Sequence, residues 1–341
     1  MRWEPKRMRS SYGRVTRRRV THLRFVGVLV TVVACFPTRV LAVLSVPFLI
    51  AITPDGSRAY VTDYYSHSIA VIDTATNTVR ATVPLGDQPY GIVITPDGTR
   101  AYVADRGRNS MAVIDTASNT VAASIVVGDK PYGVAITPDG THVYVSNSAA
   151  DSVSAIDTAS NTVVASIEVG NEPYGVAISP DGTRAYVANQ ESACVSVIDT
   201  ATNTVVASIQ VGDEPYWVAF TPDGQRAYVT RFVPLGAVEV IDTATNTLVA
   251  TVAVQTRPWS VAIASDGTSA YVTNRDSNSV SVVDTATSTE RTSIRVGGFP
   301  IGVAIVPDNT RAYVPNSISA TVSVIDTMSN TVVATISIPG S

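Results

Sequence analysis

An all-β fold assembled from seven equivalent four-stranded units is predicted by three observations in the sequence. The aspartate of a P-D-G-type turn recurs at Asp55, Asp97, Asp139, Asp181, Asp223, Asp266 and Asp308, at intervals of 42 or 43 residues. A second ladder of aspartates, each in an (I/V)-D-T turn, keeps the same rhythm at Asp73, Asp115, Asp157, Asp199, Asp242, Asp284 and Asp326. Within one unit, Pro173 to Glu214, four short runs rich in Val, Ile, Thr and Tyr (PYGVAIS, RAYVAN, CVSVIDT and TVVASIQV) are separated by turn residues. Four strands in about 40 residues make one propeller blade. The expectation is a seven-bladed β-propeller of four-stranded antiparallel blades, starting near residues 47, 89, 131, 173, 215, 258 and 300.

Each element has a local reason. Proline presets φ in the P-D-G turn, and Gly accepts the positive φ that closes it. In D-T-A-T-N-T the Asp side chain bonds the backbone ahead of it, and Asn tolerates the left-handed conformation. The connection between the second and third runs, NQESA in this unit, is longer and polar. A blade is covered on both faces, so neither should read polar. In PYGVAI, Tyr, Val and Ile point one way, while Gly and Ala point the other and suit the crowded centre. Every unit begins at its inner strand and ends at its outer one. The ring therefore closes by packing the first blade on the seventh, without a swapped strand.

The 341 residues are 45% hydrophobic and 15% charged, which is ample core for one large domain. The net charge of −4 conceals a segregation. Residues 1–42 hold ten Lys and Arg against one acid, Glu4, whereas the remainder has 14 basic and 27 acidic residues. Beyond residue 42 little is left to neutralise phosphates, so nucleic acid is excluded as a partner. Residues 1–42 read as an export signal, with a basic n-region at 1–24 and an apolar h-region at 25–36 that is too short to span a bilayer about 30 Å thick. Two readings of its end stand. Val40-Leu41-Ala42 places small residues for cleavage after Ala42, and Val32-Val33-Ala34-Cys35 has the form of a lipobox in which Cys35 would be lipidated. Either way an exported monomer without a transmembrane span is expected, free in one case and lipid-anchored in the other. Cys194 reads as a small buried filler.

PDGTRAYVAN, PDGSRAYVTD and SDGTSAYVTN, with the (I/V)-D-T turns that follow them, resemble the YVTN-family β-propeller repeat over residues 47 to 338. The resemblance implies a seven-bladed propeller outside the cytoplasm. Such repeats occur in archaeal surface-layer proteins and exported bacterial proteins, mostly as binding or surface scaffolds. Related propellers carry lactonase and lyase activities, so the resemblance does not decide between scaffold and enzyme.

A site is expected on the face shared by the loops between blades and the loops joining second to third strands. One repeating set there follows the proline that opens each unit: Phe48, Tyr90, Tyr132, Tyr174, Tyr216, Trp259 and Ile301. It reads as a stacking collar for a ligand or, more plainly, as packing between blades. A second set ends the second strand: Asp63, Asp105, Asn147, Asn189, Arg231, Asn274 and Asn316. These residues bond the loop backbone or, with acids such as Asp87, Asp129 and Glu172, could suggest a metal. No calcium-loop pattern accompanies them, and the three histidines are too scattered for zinc, so neither metal nor cofactor is expected.

The breaks in the repeat are more informative. Blade 5 has Trp217 in place of Gly and Arg231 in place of Asn or Asp, with one residue inserted in Phe232–Gly236; blade 6 has Arg257 beside Trp259. Trp217, Arg231, Arg257, Trp259 and Tyr216 form the candidate ligand site, where guanidinium and indole would hold an anionic or sugar ligand. The plainer reading is drift, with each arginine pairing a nearby acid. Convergence of Arg231 and Arg257 on one cavity would favour catalysis, and divergence would not. A secondary candidate comprises Tyr64, His67 and Arg106. No nucleophile elbow or metalloprotease motif is present, and no catalytic residue is assigned. The leading expectation is an exported non-enzymatic scaffold for a protein, glycan or small ligand; the alternative is an exported lyase or lactonase-like enzyme using the channel mouth.

Overall fold

The computed structural model describes residues 45–340; the expected leader, its cleavage site after Ala42 and Cys35 lie outside the described residues. Within that range are 28 strands and no helix, arranged as seven four-stranded sheets. Blade 1 comprises β1 (Pro47–Ile52), β2 (Arg58–Asp63), β3 (Ser68–Asp73) and β4 (Thr78–Pro84), paired antiparallel in chain order. The other six blades repeat this order, so each is one contiguous piece of chain. Blade 7 lies entirely at the C-terminal end, with its innermost strand reduced to Ala304–Ile305. Closure is therefore side-to-side packing: Gly302 N donates to Phe48 O at 3.1 Å, with no strand exchanged.

The turns form for the reasons the sequence suggests. In the first, Gly56 N donates to Thr53 O at 2.8 Å and Gly56 stands at φ 73°. Blade 7 has Asn309 at the same position with φ 58°, the substitution that left-handed backbone tolerates best after glycine. Asp55 accepts from Thr53 Oγ1 and from Ser57 N at 3.0 Å. In the other turn, Asp73 accepts from Thr76 N at 2.9 Å. These bonds to the charged form hold turn aspartates such as Asp55, Asp73 and Asp284 below the usual carboxylate range, with Asp55 and Asp284 at about 2.

The second and third strands of each blade are buried on both faces, whereas the outermost strand is mostly exposed. The tyrosine of each A-Y-V or V-Y-V run (Tyr60, Tyr102, Tyr144, Tyr186, Tyr228, Tyr271 and Tyr313) is almost wholly buried between blades. Its hydroxyl crosses to the next blade. Tyr60 donates to Asn119 Oδ1 at 2.9 Å, Tyr102 to Asn161 at 2.9 Å, and Tyr313 closes the ring on Asn77 at 2.8 Å. The accepting asparagines stand at φ near 54°, so one residue both turns the chain and receives the latch. Blade 6 lacks it. There Ser288 occupies the asparagine position, and Tyr228 reaches only Thr285 O at 3.3 Å.

Two outcomes are expected. Ser288→Asn should supply the missing acceptor and raise stability by roughly 0.5–1.5 kcal/mol, read as a higher thermal midpoint. Because the turn aspartates have depressed folded values, their stabilisation is complete above the unfolded carboxylate range and is lost as pH falls through the folded values. Buried Asp105, whose value is raised, opposes this. The melting temperature should be flat from neutrality down to about pH 5 and fall steeply below about pH 4. A midpoint unchanged at pH 2.5 would contradict the linkage.

Candidate functional site at the mouth of the ring

The loops between blades and the loops joining second to third strands are bonded to one another on one face. Leu85 N donates to His67 O at 2.9 Å and Arg106 N to Gln88 O at 3.2 Å. The last residue of several second-to-third-strand loops stands at positive φ and clips the following loop. His67 Nδ1 accepts from Gln88 N at 3.2 Å, as Asn109 Oδ1 does from Lys130 N at 3.0 Å and Asn278 Oδ1 from Phe299 N at 2.9 Å. His67 thus holds the blade-1 version of a recurring clip. With Nδ1 accepting, the proton of the neutral ring sits on Nε2. The Asp87 carboxylate, 3.3 Å from Nδ1, becomes a partner only when the ring is protonated.

The residues after the opening prolines meet one another across the axis. Phe48–Tyr90, Tyr90–Tyr132, Tyr132–Tyr174, Tyr174–Tyr216 and Tyr216–Trp259 ring centroids are 4.1–4.6 Å apart. Tyr132 and Tyr216, from blades 3 and 5, share a hydroxyl–hydroxyl hydrogen bond. Tyr90, Tyr132, Tyr216, Trp259 and Ile301 are buried, so the collar is an aromatic plug that fills the channel. Burial pushes the hydroxyls of Tyr132 and Tyr216 far above the usual phenol value. Tyr174, which donates to Glu172 Oε2 at 3.3 Å, is pushed up to about 12 by burial and then by that carboxylate. None of these phenols is ready to act as a base near neutrality. The crowding explains the neighbouring glycines: a Cβ on Gly91 would stand 2.1 Å from Tyr132 O, and one on Gly133 2.3 Å from Tyr174 O.

Arg231 and Arg257 diverge. Arg231 turns inward along its own blade, donating to Glu239 Oε1 at 3.1 Å and to Asp213 O at 3.1 Å. Glu239 is 2% exposed and also accepts from Thr251 Oγ1 at 2.6 Å. In blades 3, 4, 6 and 7 this pair of positions is Asn with Ser, as in Asn147 Nδ2 donating to Ser154 Oγ at 3.0 Å. Blade 5 has exchanged a neutral hydrogen-bonded pair for an ionic one. Trp217 packs half-buried against the plug and the blade 5–6 core. Arg257 instead reaches Asp276 at 3.0 Å and lies 5.5 Å from the Phe232 ring centre. Arg275 shares Asp276 at 3.3 Å and lies 4.4 Å over Phe299 and 5.6 Å from Trp259. The inserted segment of blade 5 thus places Phe232 against Tyr216 and Trp259, at 5.3 and 5.1 Å.

Of the secondary candidates, Tyr64 stacks edge-on against Tyr90 at 5.8 Å and Arg106 lies 5.8 Å over the same ring. Sequence reading marked the insertion that begins at Phe232 but missed Glu239, Arg275, Asp276 and Phe299. Only Glu239 carried a visible signal, an acid inside a strand where other blades have Ala or Ser. Among the described residues no group of three or more His, Cys, Asp or Glu is placed to hold a metal. Clefts such as the one of about 650 Å³ between Asp55, Pro307 and Arg311 open on the opposite face and recur between successive blades. The exchange in blade 5 yields a direct test. Arg231→Met, which strands Glu239, should destabilise the protein by about 3–5 kcal/mol. Arg231→Asn with Glu239→Ser should recover most of that loss by denaturant titration.

Comparison with known proteins agrees with the architecture. The family model for YNCE-like beta-propellers matches residues 135–227, and that for the lactonase, 7-bladed beta-propeller family matches residues 47–162. No curated protein matches. Among solved structures, a chain of Kuenenia stuttgartiensis Hydrazine Synthase is similar with a TM-score of 0.80 at 26% identity, covering 85% of this chain and 98% of that one. The chain is a seven-bladed β-propeller with similarity to more than one propeller family.

Proposed function

We propose that the chain is an exported, non-enzymatic binding scaffold of the cell envelope, of the YVTN-repeat propeller kind. It works as a monomer and presents the loops of its mouth face to a protein or glycan. The aromatic plug carries this reading. Rings from six blades meet at the axis, so the mouth is a shallow surface with an aromatic floor rather than a channel leading to buried chemistry. Beside the floor, Arg257 and Arg275 share one carboxylate, which leaves an excess positive charge over Phe232 and Phe299. Cationic and aromatic groups side by side on a rigid frame favour recognition of an extended partner. The basic and apolar character of residues 1–42 supports export, with release after Ala42 or anchoring through Cys35 as the two forms.

A second reading rests on the lactonase-family match over residues 47–162. On that reading the mouth would admit a lactone and open it. The two readings separate in one set of measurements on the exported protein. The scaffold reading expects saturable binding to envelope glycans or proteins on an array, weakened at least tenfold by Arg275→Ala or Phe232→Ser with the thermal midpoint nearly unchanged. Lactone ring opening above background that the same substitutions abolish would replace it.

A further inference from the structure

We propose that the mouth also binds a small organic monoanion, its carboxylate held by Arg106 and its body lying on the aromatic floor. This rests on the mouth being a binding surface and names the chemistry that enters it at the axis. Arg106 belongs to the loop joining the second and third strands of blade 2, anchored by its backbone N–H on Gln88 O. Its guanidinium carbon lies 5.8 Å from the Tyr90 ring centre. That contact lays the side chain inward over the plug.

What sets Arg106 apart is a buried guanidinium nitrogen without an acceptor. Its Nε is buried with no hydrogen-bond partner, and the side chain makes no ion pair with any described residue. Several other arginines of the ring have partners. Arg108 pairs with Asp105, Arg231 with Glu239 and Arg257 with Asp276, while Arg58 and Arg226 donate to carbonyls of the neighbouring blade. A buried guanidinium donor without an acceptor is unfavourable unless a ligand completes it, and a planar carboxylate matches its fork.

The surroundings select the rest of the ligand. The half-buried ring of Tyr64, edge-on to the buried Tyr90, offers a surface that suits a flat or ring-shaped body. Glu172 sits at the Tyr174 hydroxyl, and Asp87 and Asp129 stand on the flanking loops. Arg106 without an ion-pair partner, with the acids Glu172, Asp87 and Asp129 around it, favours a single negative charge over phosphate or sulfate polyanions. A uronic acid and an aromatic acid share this chemistry.

The test titrates the exported protein with glucuronate and with benzoate, against glucose, benzyl alcohol and inorganic phosphate. Trp217 and Trp259 are the only tryptophans beyond residue 42 and both pack at the plug, so their fluorescence reports occupancy, with calorimetry alongside. Saturable binding of at least one carboxylate, tenfold or more tighter than its neutral counterpart and than phosphate, is expected; which carboxylate binds assigns the source. Arg106→Gln should lose at least tenfold in affinity while keeping the thermal midpoint, and Arg108→Gln should bind as wild type. Equal affinity in wild type and Arg106→Gln, or no saturable response to either carboxylate, overturns the proposal. Either failure leaves the array measurement on Arg275 and Phe232 to decide the scaffold reading separately.

Discussion

The ring is held by one interaction used over and over: a buried tyrosine on the second strand of one blade donates its hydroxyl to an asparagine on the last turn of the next. Each blade alone is a four-stranded sheet with two apolar faces, which water would not tolerate. Stacking blades buries those faces, and the tyrosine is the part of each face that must find a polar partner when it goes dry. The partner is available only if the next blade stands in register. A single net hydrogen bond is worth on the order of 1 kcal/mol, but a misplaced neighbour leaves a buried phenol unsatisfied, and that penalty enforces order. The asparagine adds a second constraint, because its left-handed backbone orients the acceptor.

The same crowding that seals the blades shapes the mouth. Inner strands approach so closely that glycine is the only fit at Gly91 and Gly133. The aromatic residues one position before have nowhere to go but the axis, where they stack and close it. Any selectivity must then come from what lies above the floor, the loops, and the loops are where the repeat is broken. Blade 5 illustrates how such breaks are tolerated. Arg231 and Glu239 depart from the pattern together, and their ion pair, with Thr251 completing the carboxylate, keeps the buried site satisfied.

Much of the architecture was legible because it is periodic. Turn aspartates, strand lengths and the absence of a remainder between units needed no tertiary information. Arg231 and Arg257 illustrate the opposite. They stand on the same face and were grouped as one site, yet Arg231 satisfies a buried glutamate in its own blade while Arg257 stays at the surface with Asp276. Sequence spacing places a residue on a loop but does not say which acid it will find. His67 was similarly ambiguous, and the structure resolves it as one of several side chains that pin neighbouring loops.

By itself the sequence determined the number of blades, the strand order within each and the face on which loops gather, because turn chemistry and alternation are local and act before any long-range contact forms. Only the tertiary structure decided that the channel is plugged, that the tyrosine latch passes from blade to blade, and that Arg106 rather than Arg231 is left without an acceptor. Those outcomes depend on distances between residues tens of positions apart, set by how closely seven sheets crowd about one axis. No pattern within a single repeat encodes that distance.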